Sequence, residues 1–231
     1  MAVERSALIV VDMQEDFCPP NGSLAVPGGR DIAPIINSLL TLPFTAKVAS
    51  QDWHPLDHAS FDVQHPPPNN KAFTSWVTAT NPDDESKSMQ LQLWPVHCVR
   101  DTTGAKIIPE IDATKLDLIV QKGQDKRTEM FSAFGDMFSR GGSSVVSHDL
   151  AAWLKNKKIQ QVFVVGLTGD CCVKATAIDA KKEGFETFVV GDATRSVDDG
   201  NDGWGAAKRE FQEHGVIVIE SRDQRLQDLK S

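Results

Sequence analysis

Six short apolar runs, at residues 8–11, 48–50, 118–120, 162–165, 188–190 and 216–219, constrain the fold of this chain more than any other feature. They are rich in Val and Ile and do not alternate with polar residues. A strand of that kind is covered on both faces, as in a parallel sheet packed between helices. Most of the segments between the runs carry a helical period. The expected architecture is therefore α/β, a three-layer sandwich with a six-stranded parallel sheet and helices on both faces. Two helices can be placed in detail. One has Ser147 as its candidate N-cap, ahead of Leu150, Trp153 and Leu154; the other runs from Cys172 through Ala175, Ala177 and Ala180 to Gly184, a residue type that closes helices.

A length of 231 residues with 40% hydrophobic content supports one core, so residues 1–231 are expected to form a single domain. One stretch resists the strand-and-helix pattern. From about residue 57 to 92 the chain carries Pro66-Pro67-Pro68, Asn69-Asn70 and Asn81-Pro82-Asp83-Asp84-Glu85 with no clean period, and it is read as a long loop insertion. Compact domains keep such excursions chiefly where they build or cover a site.

The formal charge of −8 and the lack of a Lys/Arg-rich run argue against a nucleic-acid partner, whose phosphates need clustered positive charge. No run has the apolar length of a membrane span. The N-terminal MAVERSALIVVD lacks a cleavage-site pattern, and the C-terminal Leu229-Lys230-Ser231 is not a peroxisomal tripeptide. A soluble cytoplasmic protein is expected, with Cys18, Cys98, Cys171 and Cys172 as free thiols and no membrane partner. Self-association into a homo-oligomer is left open.

In open parallel sheets ligands bind beyond the carboxyl ends of the strands, so the residues just after each apolar run matter most. Asp12 follows the first run, Asp52 and His54 the second, Lys122 the third, and Cys171-Cys172 lie a short turn after the fourth. A thiol at a helix start faces the positive end of the backbone dipole, which favours the thiolate, and the free N–H groups there can bind an oxyanion. Position alone does not choose between the two adjacent sulfurs. Asp12 supplies a base for such a thiol, and Lys122 a cation to tune both. His54 precedes Pro55 and is biased to an extended backbone, so Asp52 and His54 project to the same side; His97, across the excursion, would complete an Asp/His/His metal set with open positions. Residues 198–203 superficially match a calcium loop, but Gly200 sits at a ligand position and Arg209 where a bidentate Glu is needed, so the segment is read as a lead into the next helix. No phosphate-binding glycine loop is present.

Taken together, residues 10–17 (Val-Val-Asp-Met-Gln-Glu-Asp-Phe), Asp52-Trp53-His54-Pro55, Leu93-Trp94-Pro95-Val96-His97-Cys98, Lys122-Gly123 and Cys172-Val173-Lys174-Ala175-Thr176-Ala177 resemble the nicotinamidases of the isochorismatase-like hydrolase superfamily, fungal members most closely. The resemblance spans nearly the whole chain and implies that superfamily's fold, a six-stranded parallel sheet. It also implies a hydrolase acting on the carboxamide C–N bond of nicotinamide, releasing nicotinate and ammonia and feeding NAD salvage. By the same resemblance Cys172 is the nucleophile, Asp12 the proton acceptor and donor, and Lys122 the group that positions both. The backbone amides of Thr168 and Cys172 form the oxyanion hole. Asp52, His54 and His97 hold a divalent metal ion, commonly zinc, and Phe17 and Trp94 line the pyridine pocket. Ser60 lies where some relatives add a metal contact. The chain departs from the pattern at Thr168-Gly169-Asp170-Cys171, where Gly169 is expected to loosen the oxyanion turn and Cys171 adds a second thiol. Two other readings remain open at this point: a related cysteine amidohydrolase acting on a carbamoyl or ureido compound, and a non-catalytic scaffold with the same fold.

Overall fold

The structure is a computed structural model that describes residues 5–229. The N-terminal segment through Glu4 and the last two residues of the C-terminal tripeptide lie outside the described residues. Each of the six apolar runs forms a strand of one parallel sheet: β1 (Ser6–Val11), β2 (Ala46–Asp52), β5 (Leu118–Lys122), β6 (Gln161–Leu167), β7 (Glu186–Arg195) and β8 (Ile217–Ile219). Their spatial order is β5-β2-β1-β6-β7-β8. The chain starts at the middle of the sheet, builds outward to one edge, then returns to β6 and builds to the other. That winding reverses between β1 and β6, and doubly wound sheets bind ligands at the carboxyl end of such a switch point.

In the inner strands alternate residues feed two separate apolar layers, which is why those runs are apolar throughout, whereas Ile119 and Ile217 on the two edge strands are exposed. On one side Leu8 and Val10 pack with Ile36, Leu39 and Leu40 of α1 (Ala33–Leu40) and with Leu226 of α5 (Gln224–Asp228). On the other, Ala7, Ile9 and Val11 pack against α2 (Leu150–Asn156), α3 (Cys172–Lys182) and α4 (Trp204–His214). The segment at residues 198–203 does lead into α4, and Gly184 follows α3 in a left-handed conformation, φ 96°. No described helix is long and apolar enough to cross a membrane.

Two local readings need correction. The N-cap of α2 is Asp149, whose side chain accepts from the Ala152 amide at 2.9 Å; Ser147 instead accepts from the Gln121 amide, tying the loop to β5. The excursion at about 57–92 is not all loop. It contains an antiparallel hairpin of β3 (Trp76–Thr80) and β4 (Ser88–Gln92), a two-stranded sheet separate from the main one. Only Ala79 and Leu91 of its ten residues are buried, so most of its side chains leave no apolar signature.

Candidate active site

Asp12, Asp52, Lys122 and Cys172 converge although they come from four different elements. Asp52 and Lys122 are the last residues of β2 and β5 and are directly paired across the two strands. Lys122 is completely buried; its Nζ lies 3.0 Å from Asp12 Oδ2, 2.5 Å from Asp52 Oδ1 and 3.8 Å from Cys172 Sγ, and donates to the Met130 carbonyl at 3.0 Å. Asp12, one residue past β1, has φ 47°, a left-handed backbone uncommon for a non-glycine residue. That bend aims its carboxylate back over the strand ends, where Ser50 Oγ donates to Oδ1 at 2.6 Å. Ligating atoms of Asp12, Asp52 and Cys172 all lie within 4.8 Å of one another.

The electrostatics follow from burial. Burial pushes the Asp12 carboxyl up to about 6 even though the Lys122 ammonium pulls the other way, which sets a base near neutrality. Asp52 is also desolvated, but Lys122 and His54 outweigh that and hold it well below the usual carboxylate range. Burial pulls Lys122 down, yet Asp12 and Asp52 keep it above its ordinary value, so it remains a cation. For Cys172 burial wins over Lys122 and the thiol lies well above its ordinary value. The thiolate expected from the helix-start position is therefore not the resting form. The sulfur belongs to the first residue of α3, but it is closed off from solvent with two carboxylates nearby.

The second cluster is Asp52, His54 and His97, whose ligating atoms also lie within 4.8 Å of one another. His54 Nε2 is 3.6 Å and His97 Nε2 3.9 Å from Asp52 Oδ2. In each ring the other nitrogen is committed to a backbone carbonyl: His54 Nδ1 to Gly123 at 2.9 Å and His97 Nδ1 to Pro95 at 2.8 Å. That fixes the tautomer and turns a bare Nε2 inward, the arrangement of metal-ligating histidines. His54 Nε2 is buried with no hydrogen-bond partner. Ligands held at about 2.1 Å from one ion would lie about 3.4 Å apart, so the three donors fit a small divalent cation. Gln14 braces the cluster from behind: its amide bridges the backbone N–H and C=O of Asp52 at 2.8 and 2.9 Å.

Phe17 and Trp94 border one cavity with Asp52, His97, Thr168 and Cys172. Phe17 also packs on the His97 ring, centroids 5.6 Å apart. The Leu167–Thr168 peptide is cis, and no carbonyl among the described residues accepts from the backbone N–H of Thr168 or of Cys172. Cys171 reaches the same cavity beside Cys172. Gly169 does not loosen the turn as expected. Its amide donates to the Arg195 carbonyl at 2.8 Å, and an added Cβ would come within 2.5 Å of Ser196 Oγ and 2.9 Å of Thr194 Cγ2, so the glycine is demanded by close packing. Ser60 is turned toward His58, its Oγ 2.8 Å from Nδ1, while His58 Nε2 is 3.1 Å from the Thr128 carbonyl.

Sequence reasoning missed Glu129 and Phe131, which line the cavity from the irregular segment after β5. Glu129 is buried, with Oε1 3.9 Å from His54 Nε2. Neither follows a strand directly, so position gave no signal.

The isochorismatase domain matches residues 6–223, and the chain belongs to that family. Within it, the nicotinamidase of Acinetobacter baylyi is 37% identical across 94% of this chain and 93% of its own length. The structure of the yeast nicotinamidase bound to the inhibitor nicotinaldehyde superposes with a TM-score of 0.85 at 34% identity, covering 93% of this chain and 99% of that one. The pyrazinamidase of Pyrococcus horikoshii in complex with zinc gives a TM-score of 0.71 at 30% identity, covering 94% and 99%.

Proposed function

We propose that this protein is a nicotinamidase that hydrolyses nicotinamide to nicotinate and ammonia through a thioester on Cys172, returning the pyridine ring to NAD salvage. The observation that carries the reading is the buried Lys122 ammonium in contact with Asp12, Asp52 and Cys172 at the edge of one aromatic-lined cavity. Two carboxylates and an ammonium taken out of water together are costly to desolvate, and their place at a cavity beside a thiol favours a catalytic use over a scaffold.

The nicotinamide ring lies between Phe17 and Trp94 with its carboxamide toward Cys172. Asp12, ionised above about pH 6, takes the thiol proton as the sulfur adds to the carbonyl carbon. The backbone N–H groups of Thr168 and Cys172, otherwise without acceptors, receive the oxygen as it becomes anionic. Asp12 then returns the proton to nitrogen, the C–N bond breaks and ammonia leaves. In the second half Asp12 takes a proton from water, the hydroxide attacks the thioester, the C–S bond breaks, and the sulfur is reprotonated as nicotinate departs. Lys122 stays protonated throughout and keeps the changing charges on Asp12 and sulfur balanced.

Asp52, His54 and His97 would hold a divalent cation, for which zinc is the reading supported by the donor set of two imidazoles and a carboxylate. Bound there, it would supply a Lewis acid beside the pocket for a basic ring nitrogen, while Phe17 and Trp94 hold the ring so that its carboxamide points toward Cys172.

Incubation of the purified, metal-loaded protein with nicotinamide tests the reading. Equimolar ammonia and nicotinate are expected; intact nicotinamide with thiols reduced and metal present would refute it.

A further inference from the structure

Among the described residues, four buried side-chain polar atoms lack a hydrogen-bond partner, and all four border the active site: Asp12 Oδ2, His54 Nε2, Trp94 Nε1 and Thr168 Oγ1. Asp12 Oδ2 faces the Lys122 ammonium and His54 Nε2 belongs to the cation set. The Trp94 indole N–H and the Thr168 hydroxyl have no such assignment, and of these two only Thr168 also carries a backbone amide read as an oxyanion donor. Native proteins seldom leave a buried hydroxyl unpaired, and one that persists beside a reactive group invites a functional explanation.

We infer that the side-chain hydroxyl of Thr168 is a third donor to the oxyanion, acting with the backbone amides of Thr168 and Cys172. This rests on the amidohydrolase reading above and adds to it a catalytic residue of this particular chain. Three observations carry it. Thr168 is 4% exposed and lines the same cavity as Cys172. Its carbonyl accepts from the amides of Cys171 at 3.1 Å and Val173 at 2.9 Å, which clamps the residue to the first turn of α3 on either side of the nucleophile. And its Oγ1 has no partner in the resting site, so its proton is free for a stronger acceptor than any present there.

That stronger acceptor forms when Cys172 adds to the carboxamide. The S–C bond forms, the carbonyl π pair moves onto oxygen, and the new alkoxide accepts from two N–H groups and one O–H, the hydroxyl keeping its proton. A hydrogen bond to an anion is about twice as strong as one to a neutral oxygen. The donor therefore stabilises the tetrahedral state more than bound substrate, and its loss falls on kcat more than on KM.

The test uses Thr168→Val, nearly isosteric, with Thr168→Ala and Thr168→Ser beside it, each measured for kcat and KM on nicotinamide, for thermal stability, and for affinity toward nicotinaldehyde. This aldehyde takes up the thiol to give a tetrahedral adduct with an oxygen in the same place; nicotinate is the planar control. Val and Ala are expected to lower kcat on the order of a hundredfold, to weaken nicotinaldehyde in parallel, and to leave KM and nicotinate binding nearly unchanged. Ser restores most of the loss. Because the hydroxyl is unpaired in the resting protein, Tm in Val should hold or rise. Wild-type kcat in Val overturns the inference, as does lowered kcat with unchanged nicotinaldehyde affinity. A fall in Tm shared by Val and Ala also overturns it, since the hydroxyl would then be bonded within the protein. An inactive wild type would instead remove the amidohydrolase reading itself.

Discussion

The Lys122 ammonium lies 3.0 Å from the Asp12 carboxylate with neither side chain exposed to solvent. A pair taken so far from water is sensitive to loss of one member, because the other is left as an uncompensated buried charge. Lys122→Met is expected to abolish turnover and to destabilise the fold by about 3–5 kcal/mol, measured by denaturant unfolding. A stability loss under 1 kcal/mol would mean that the two carboxylates are not held by this ammonium.

With Asp12 as the proposed base, its carboxyl, pushed up by burial to about 6, is expected to set the acid limb of the reaction. The base must be ionised to accept the thiol proton, so kcat/KM should be flat above about pH 7 and fall tenfold per pH unit well below 6. The stability sign is opposite. A folded carboxyl titrating above its ordinary 3.8 favours folding when protonated; that contribution is complete below 3.8 and is lost as pH rises through 6. Asp12→Asn should remove this dependence from the unfolding curve and leave no turnover.

Gly123 couples the lysine strand to the metal arm. It has φ 69°, and a Cβ there would come within 2.5 Å of His54 Cε1 and 2.7 Å of Nδ1, the nitrogen bonded to its own carbonyl. Gly123→Ala is thus expected to cost roughly 1–3 kcal/mol and to weaken metal retention, followed by elemental analysis after dialysis.

Purified protein should carry about one divalent ion per chain, and His54→Ala or Asp52→Asn should lose it. Chelation should raise KM for nicotinamide more than it changes unfolding by denaturant. Retention of the ion in both variants would place it elsewhere.

How far these features were legible before the structure follows from where each signal lives. The six strands were readable because a sheet covered on both faces draws on continuous apolar runs, and the clustering of Asp12, Asp52, Lys122 and Cys172 because all four follow or end such runs at one edge of the sheet. The β3–β4 hairpin was not, since an exposed ribbon of Thr, Ser and Gln has no burial pattern to impose on its sequence. Glu129 was hidden for a related reason: what matters is its burial beside His54, a product of the loop path. A helix start favours the thiolate only where solvent can share the charge, and Cys172 is closed off. Gly169 is a contact point with Ser196 and Thr194, a packing constraint that local sequence does not carry.

Whether Cys172 carries the reaction is decided by ammonia release from nicotinamide with Cys172→Ala and Cys171→Ala, side by side with the wild type. No release is expected from the first variant and most of the wild-type rate from the second. Equal loss in both, or substantial release from Cys172→Ala, would contradict that role.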